Sequence, residues 1–183
     1  MRAAEIQNEL TEVLVTEEQI LAKLDEVAAQ VALDYAGKNL LLVGVLKGAI
    51  MVMADFSRAL PTVVPMDWMA VSSYGAGTKS SGVVQIRKDL DEDLHDRDVL
   101  IIEDIIDSGL TLSWLLENFE SRGAKSVEVF ALLRKPDAAK VQVDCKYVGF
   151  DIPNEFVVGY GLDYAERYRN LRDVAILAPH VYS

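Results

Sequence analysis

Apolar residues fall into two patterns along the chain, short continuous runs and longer segments with helical spacing. The runs at residues 39–45 and 99–102 are rich in Leu, Val and Ile and are shorter than an ordinary helix. Such runs are typical of strands that are buried on both faces of a sheet. Further runs predict strands at residues 63–73, 83–87, 127–133, 147–150, 156–160 and 174–177.

Segments with helical spacing separate the strands in the first half of the chain. The Thr-Glu-Glu-Gln sequence at residues 16–19 forms a capping box, and the helix that it opens ends near Gly37. A second helix is predicted to about residue 60 and a third near residue 112. This alternation predicts an α/β fold in which helices cover both faces of a mostly parallel sheet. We expect a single domain of 183 residues, with a smaller irregular subregion formed by the two chain ends.

The most informative stretch connects the strand at residues 99–102 to the third helix. Two adjacent carboxylates, Glu103 and Asp104, follow this strand, where open α/β sheets bind their ligands. A polar turn at residues 107–111 then opens the helix, and its one glycine, Gly109, permits a close backbone approach. Backbone N–H groups at a helix start bind phosphate, and paired carboxylates suit ribose hydroxyls or Mg²⁺. The stretch therefore predicts a site for a phosphorylated sugar.

Three further features each have an ordinary and a functional interpretation. Asp107 is either the N-cap of the third helix or an acceptor of a substrate proton, since a capping carboxylate beside a phosphate is electrostatically unfavourable. Lys47 and Gly48 end the strand at residues 39–45, and a lysine there is either solvated or binds phosphate. The small and polar residues at 72–82 form either an inert loop or a mobile lid, and taken alone they favour the inert loop.

Composition and absent motifs disfavour several classes of protein. Apolar residues make up 51% and charged residues 26% of the chain, and the net charge of −11 argues against nucleic-acid binding. No apolar run approaches the length of a membrane helix. The one cysteine, Cys145, is expected to be a buried thiol in a cytoplasmic protein. Walker A, GxGxxG, HxxxH and CxxC patterns are missing from the sequence, which disfavours an ATPase, a dinucleotide enzyme and a structural zinc site.

Residues 99–111 resemble the phosphoribosyl-pyrophosphate (PRPP) signature of type I phosphoribosyltransferases, in the Glu-Asp-Ile-Ile-Asp form of the hypoxanthine–guanine enzymes. The Leu-Lys-Gly sequence at residues 46–48 and residues 148–164 carry the same resemblance, and the latter segment is specific for the 6-oxopurine branch. The resemblance implies the type I phosphoribosyltransferase fold. Its parts would be a core at about residues 35–150, a small hood subdomain from about 1–15 and 150–183, and a mobile lid at about 72–84.

The resemblance also implies a role for each matching residue. Glu103 and Asp104 would bind the ribose hydroxyls of PRPP, directly or through Mg²⁺, and Asp163 would coordinate a second Mg²⁺. Asp107 would be the catalytic acid/base that faces purine N7. The other implied roles are 5′-phosphate binding by Ser108, Gly109, Leu110 and Thr111, pyrophosphate binding by Lys47, Gly48 and Arg169, purine binding by Lys135, Phe156 and Val157, and the start of the lid at Ser73 and Tyr74. Many family members have lysine where this chain has Leu110, but contacts at this position are mainly through the backbone.

The implied activity is a Mg²⁺-dependent reaction of purine salvage. Hypoxanthine or guanine and PRPP would give IMP or GMP and pyrophosphate through an oxocarbenium-like transition state. One alternative is a xanthine-preferring relative, and another is a regulatory RNA-binding protein with the same fold. The acidic charge and the base site at Lys135 and Phe156 count against RNA binding. The resemblance further implies small-molecule partners, without nucleic acid or membrane, and a homodimer or homotetramer.

Overall fold

The computed structural model of the protein describes residues 1–73 and 84–182. Strands and α-helices follow one another through these ranges much as the apolar pattern predicts. The strands are β1 (Leu10–Val15), β2 (Leu40–Leu46), β3 (Met66–Ser73), β4 (Val84–Lys88), β5 (Asp98–Ile106), β6 (Ser126–Arg134), β7 (Tyr147–Asp151), β8 (Val157–Val158) and β9 (Val174–Leu177). The α-helices are α1 (Glu17–Asp34), α2 (Ile50–Ala59), α3 (Leu110–Ser121) and α4 (Pro179–Tyr182).

The central sheet has the strand order β4-β3-β2-β5-β6-β7. Its neighbouring strands run parallel, apart from the antiparallel pair of β3 and β4. Helices α1 and α2 pack on one face, against residues such as Leu42 and Leu100, and α3 packs on the other, against Val99 and Ile101. The predicted mostly parallel sheet with helices on both faces is therefore confirmed. Because β2, β5 and β6 are parallel, their C-terminal ends lie at one edge of the sheet.

Helix α1 begins with the predicted capping box. The Thr16 side-chain oxygen accepts a hydrogen bond from the backbone N–H of Gln19 at 3.3 Å, and the Gln19 side chain accepts one from the N–H of Thr16 at 2.9 Å. These bonds satisfy two N–H groups that a helix start leaves without backbone acceptors. Ile20, Leu24 and Val31 then bury the predicted apolar face.

A second sheet, of order β1-β9-β8, combines residues from near both ends of the chain through antiparallel pairing. We expected an irregular region here and did not predict β1, because Val15 alone among its six residues is buried. The strand predicted at 156–160 is reduced to two residues, since Gly159 and Tyr160 adopt positive φ angles of 102° and 50°. The division of the chain into a core and a hood stays a prediction.

Strand β5 is longer than predicted and includes the acidic pair. Its pairing with β6 continues as far as Ile106 opposite Arg134, so Glu103 and Asp104 are consecutive residues of a strand rather than of a loop. The interpretation of Asp107 as a helix cap is wrong. Helix α3 has Gly109 as its N-cap, in the left-handed conformation with φ of 79°.

Two expectations from composition concern the thiol and the membrane. The Cys145 thiol is partly buried and donates a hydrogen bond to the carbonyl oxygen of Tyr147 at 3.0 Å, and burial raises its pKa to about 11. Such a thiol is a poor nucleophile at neutral pH. Within the described ranges, no helix has both the length and the apolar character needed to cross a bilayer.

Replacing Thr16 with alanine is expected to lower the free energy of unfolding by about 1 kcal/mol, because the N–H of Gln19 loses its cap. Denaturant unfolding of the two proteins measures the difference. Thr11→Ala, at an exposed position of β1, is the matched control and should change the stability much less. Equal destabilisation by both replacements would contradict the capping role.

Candidate active site

A cleft of about 340 Å³ lies at the C-terminal ends of β2, β5 and β6. A cavity of about 320 Å³ near Tyr35 and Asn39 lies at the opposite end of β2 and contains none of the predicted site residues. The cleft, in contrast, combines residues of the strand ends with residues of the segment that follows β7. Its lining consists of Lys47, Gly48, Asp104, Ile105, Asp107, Lys135, Phe156, Val157, Leu162, Asp163 and Arg169.

Of the two adjacent acids at the end of β5, Asp104 lines the cleft and Glu103 does not. Successive side chains of a strand point to opposite faces of the sheet, so the two carboxylates are not side by side. Glu103 is 8% exposed, and burial followed by the charge of Asp104 raises its pKa well above the ordinary value. Burial also raises the pKa of Asp104 to about 6, although a hydrogen bond from the Ile105 N–H and the charge of Arg169 act in the other direction. A cationic partner would stabilise the ionised form of Asp104.

The polar turn at residues 107–111 joins β5 to α3. Gly109, the N-cap, has no side chain to cap the helix, so the first N–H groups of α3 are suited to an anion. The Ser108 carbonyl accepts hydrogen bonds from the N–H groups of Lys140 and Val141 at 3.0 and 3.1 Å. A Cβ at Gly109 would lie 2.5 Å from the Val141 carbonyl oxygen. The turn is therefore held closely against a neighbouring segment and keeps the features of a phosphate site.

Three distant segments meet beside Asp104 without room for another side chain. A Cβ at Gly48 would lie 1.8 Å from Oδ2 of Asp104, and a Cβ at Gly161 would lie 2.0 Å from the carbonyl oxygen of Gly48. Gly161 also adopts a φ of 102°, which L side chains rarely adopt. The peptide bond that precedes this contact, between Leu46 and Lys47, is cis. A side chain at Gly48 would thus displace the Asp104 carboxylate, and one at Gly161 would displace the backbone of Gly48.

Two cations that line the cleft form a network with Asp163, which also lines it, and with Glu166, which lies outside the lining. Lys47 Nζ lies 3.0 Å from Glu166 Oε2, and Arg169 Nη2 lies 2.7 Å from Asp163 Oδ1 and 3.3 Å from Glu166 Oε2. Arg169 Nη1 donates to the Gly161 carbonyl at 2.7 Å. Hydrogen bonds from Lys47 and then Arg169 hold the pKa of Glu166 below its ordinary value. The Nε of Arg169 is buried without an acceptor in the described part of the chain.

Lys135 and Asp107 face a common space in another part of the cleft. The side chain of Lys135 is almost wholly buried, and its Nζ lies 4.0 Å from Oδ2 of Asp107, whose side chain is 59% exposed. The backbone N–H of Lys135 donates to the carbonyl of Ile106 at 2.9 Å, which fixes the end of β6 against the end of β5. A buried hydrogen-bond donor and an accessible proton acceptor are therefore next to each other.

Phe156 and Val157 form an apolar wall of the cleft, together with Leu162. Phe156 is 41% exposed, whereas Val157 is buried. The Phe156 carbonyl accepts a hydrogen bond from the Leu177 N–H at 2.9 Å, so β9 fixes its backbone. An exposed aromatic ring in a cleft supplies a surface on which a planar ligand can stack.

Most of the predicted site residues line this cleft, but some do not. Ser73 is the last residue of β3, and Tyr74, like most of the predicted lid, lies outside the described residues. The predicted residues that lie near the cleft but outside its lining are Glu103, Ser108, Gly109, Leu110 and Thr111.

Sequence reasoning missed Ile105 and Leu162, which line the cleft, and Glu166, which bridges Lys47 and Arg169. Glu166 lies midway between Asp163 and Arg169 in the sequence, and this was the only available signal. Alternating charges of this kind are typical of solvated surfaces, so the signal was weak.

The carboxylates of the cleft suit a divalent cation that is held jointly with a ligand. Among the described residues, no three His, Cys, Asp or Glu side chains are grouped so as to enclose a metal ion by themselves. Mg²⁺ is usually held by one or two protein carboxylates, with water and substrate phosphates completing its shell. Asp104 and Asp163 supply such carboxylates, and a cation would stabilise the ionised form of Asp104, which partial burial disfavours.

Known proteins are similar to this chain in sequence and in fold. A family model described as a phosphoribosyl transferase domain matches residues 11–165. A hypoxanthine-guanine phosphoribosyltransferase of Mycobacterium bovis is 55% identical over 180 residues, which cover 95% of this chain and 89% of that protein. One of Streptococcus agalactiae is 51% identical over 178 residues, covering 97% of this chain and 99% of that protein. The crystal structure of a hypoxanthine phosphoribosyltransferase of Staphylococcus aureus matches with a TM-score of 0.94 at 50% identity, covering 98% of this chain and 97% of that chain. The chain therefore belongs to the phosphoribosyl transferase family, in its hypoxanthine-guanine phosphoribosyltransferase branch.

Proposed function

We propose that this protein transfers the phosphoribosyl group of PRPP to hypoxanthine or guanine and releases IMP or GMP and pyrophosphate. Its family membership supports a glycosyltransferase of purine salvage with small-molecule substrates. The observation that carries the proposal is that one cleft combines Lys135 and Phe156 with Lys47 and Arg169. The first pair suits a purine base and the second a pyrophosphate group, so one cleft has groups for both substrates.

The end of the cleft that contains Lys47 and Arg169 would bind PRPP. Displacement of pyrophosphate builds negative charge on the leaving group, which Lys47 and Arg169 would stabilise. The N–H groups of the turn at residues 108–111 would anchor the 5′-phosphate, and Asp104 would bind the ribose hydroxyls. Glu103, the second carboxylate expected there, is buried outside the cleft lining. These contacts would hold the sugar still while its anomeric carbon becomes positively charged.

The other end would select a 6-oxopurine. The Lys135 ammonium would donate to the 6-oxo group, Phe156 would stack on the ring, and Val157 would contact the base through its backbone. A 6-amino group would instead present a donor to Lys135. Because Lys135 is buried, it would then lack an acceptor, and an unpaired buried donor is costly.

Asp107 would act as the catalytic acid/base. As purine N9 forms the bond to the anomeric carbon, the base loses a proton at N7, and the carboxylate would accept it. The exposure of Asp107 and its position 4.0 Å from Lys135 support this role, because a base held by Lys135 would lie within its reach.

Family members are generally metal-dependent, and we assign Mg²⁺ as the metal here. Asp104 and Asp163, which both line the cleft, would hold it. Bound Mg²⁺ neutralises negative charge on the pyrophosphate and so improves it as a leaving group. Asp163 is paired with Arg169 at 2.7 Å, so this ion pair competes with metal binding at Asp163.

Three further expectations belong to this proposal. A lid at about residues 72–84, with Ser73 and Tyr74 at its start, would exclude water from the reactive sugar. The protein would form a homodimer or homotetramer, and it would act in the cytoplasm.

The observations argue against one of the two rival functions but not against the other. Xanthine carries the same 6-oxo group, so Lys135 does not separate a xanthine-preferring enzyme from a hypoxanthine–guanine one. An RNA-binding regulator is disfavoured by the net charge of −11 and by the base site itself.

Incubation of the purified protein with PRPP, Mg²⁺ and one base at a time is expected to yield IMP from hypoxanthine and GMP from guanine. Adenine is the control and should give no nucleotide, because of the donor at Lys135. Chromatography of the products and kcat/KM for hypoxanthine, guanine and xanthine measure the preference. Failure to form either IMP or GMP would refute the proposal, and a higher kcat/KM for xanthine would favour the first rival.

Replacing Asp107 with asparagine is expected to lower kcat far more than it weakens PRPP binding, because an amide cannot accept the N7 proton. Steady-state kinetics and a PRPP titration measure the two effects. Asp137→Asn, at an exposed position just after Lys135, is the matched control and should leave both quantities nearly unchanged. Equal losses in kcat and in PRPP affinity would indicate a binding role instead.

Replacing Gly48 with alanine is expected to lower kcat/KM for PRPP by about a hundredfold, since the new Cβ would displace the carboxylate of Asp104. Gly37→Ala is the control, because its Cβ would meet no atom within 4 Å and it lies far from the cleft. The control has a positive φ and should lose stability without losing PRPP turnover. Wild-type turnover by the Gly48 variant would show that the close contact is not needed.

A further inference from the structure

Three aromatic rings from three segments meet at the purine end of the cleft. The ring centroid of Phe156 lies 5.1 Å from that of Tyr182 and 5.9 Å from that of Tyr164, and the two tyrosine centroids lie 6.2 Å apart. Phe156 lines the cleft, whereas the two tyrosines are not part of its lining. The tyrosines therefore contact Phe156 from outside the space that a base would occupy.

The two tyrosines restrain the Phe156 ring in different ways. The ring of Tyr164 meets it edge-on, with 88° between the ring planes, and the ring of Tyr182 lies tilted by 36°. Edge-on and offset arrangements are the favourable ones for aromatic pairs. Phe156 is not buried in the core, so its orientation depends on these ring contacts.

The segment that carries Tyr182 is held in place by contacts that do not involve the Phe156 ring. The N–H of Ala178, just before α4, donates to the carbonyl of Glu9 at 2.9 Å, and the N–H of Val181 donates to the carbonyl of Ala178 at 2.9 Å. Val181 also packs against the apolar cluster that includes Leu177. Tyr182 is thus presented by a fixed turn.

We propose that Tyr182 is a positioning residue that keeps the Phe156 ring in the orientation in which it stacks on the purine. This role rests on the proposed function, in which Phe156 is the stacking residue. Stacking engages the face of the base rather than its exocyclic groups, so Tyr182 affects hypoxanthine and guanine alike. PRPP binding is independent of it, because Lys47, Arg169 and the start of α3 belong to other segments.

Tyr182 is a better residue to test than Tyr164. Tyr164 directly follows Asp163, whose carboxylate pairs with Arg169 at 2.7 Å. A replacement of Tyr164 would disturb this ion pair and so the end of the cleft that contains Arg169. Tyr182 lies on α4, away from this ion pair in the sequence.

Replacing Tyr182 with alanine is expected to weaken the binding of GMP roughly two- to tenfold, the range for loss of an aromatic pair, and to leave the Kd for PRPP within about twofold. Titration calorimetry of the full chain with GMP, and separately with PRPP, measures both constants. Tyr182→Phe keeps the ring and should restore wild-type GMP affinity. His180→Ala, at an exposed position of the same turn, is the matched control and should change neither constant. In turnover assays, the KM for both bases should rise while kcat changes little.

Several results would overturn the role of Tyr182. These are unchanged GMP affinity in Tyr182→Ala, a Tyr182→Phe variant as weak as the alanine variant, or an equal loss of GMP and PRPP affinity. If the alanine variant does not fold, Tyr182→Leu replaces it and is expected to show the same selective loss. A wild-type protein that binds GMP but makes no nucleotide would contradict the proposed function alone. One that makes nucleotide while the variant keeps full GMP affinity would contradict the role of Tyr182 alone.

Discussion

The close contact among Gly48, Asp104 and Gly161 is the constraint on which the rest of the cleft depends. Strands β2 and β5 are parallel neighbours, so their ends already bring Gly48 towards Asp104. Gly161 closes the contact from a much later part of the chain, and its carbonyl accepts a hydrogen bond from Arg169. Gly161 therefore lies between Gly48, which contacts the carboxylate of Asp104, and Arg169. A Cβ at Gly48 would displace that carboxylate, and a Cβ at Gly161 would displace the Gly48 carbonyl.

The cleft is rich in cations although the chain as a whole is acidic. Three cations, Lys47, Lys135 and Arg169, are among its lining residues, although the net charge of the protein is −11. Glu166 holds two of them in place of an external anion. Lys47 and Glu166 are both largely exposed, and exposed ion pairs are weak, so a ligand with several negative charges can replace the carboxylate. The network thus orients Lys47 and Arg169 while leaving them available to bind an anionic ligand.

The parts of the site that are continuous in sequence could be predicted, and those that depend on distant contacts could not. The end of β5, the polar turn and α3 follow one another directly, so strand pattern, glycine position and helix start all appear in one stretch. Lys135, Phe156 and Asp163 have no local signal of function and were found through family resemblance. Glu166 has its role because it meets Lys47, 119 residues away, and no local pattern reports such a contact. Strand β1 was missed for a related reason, since its exposed side chains hide its pairing with β9.

The proposed purine site combines residues positioned by both sheets, and this explains why backbone contacts between the sheets matter so much here. Lys47, Asp104 and Lys135 belong to strand ends of the central sheet, whereas Phe156 is held by the hydrogen bond from Leu177 in the second sheet. Transfer of the sugar requires the base nitrogen and the anomeric carbon to be aligned closely, so a small displacement of one sheet would be costly. The carbonyl of Gly48 against Gly161 and the Ile152 N–H bonded to the Arg134 carbonyl at 2.9 Å join the central sheet to the segments that flank β8. In the proposed mechanism, the second sheet is therefore part of the site geometry and not merely a cover over it.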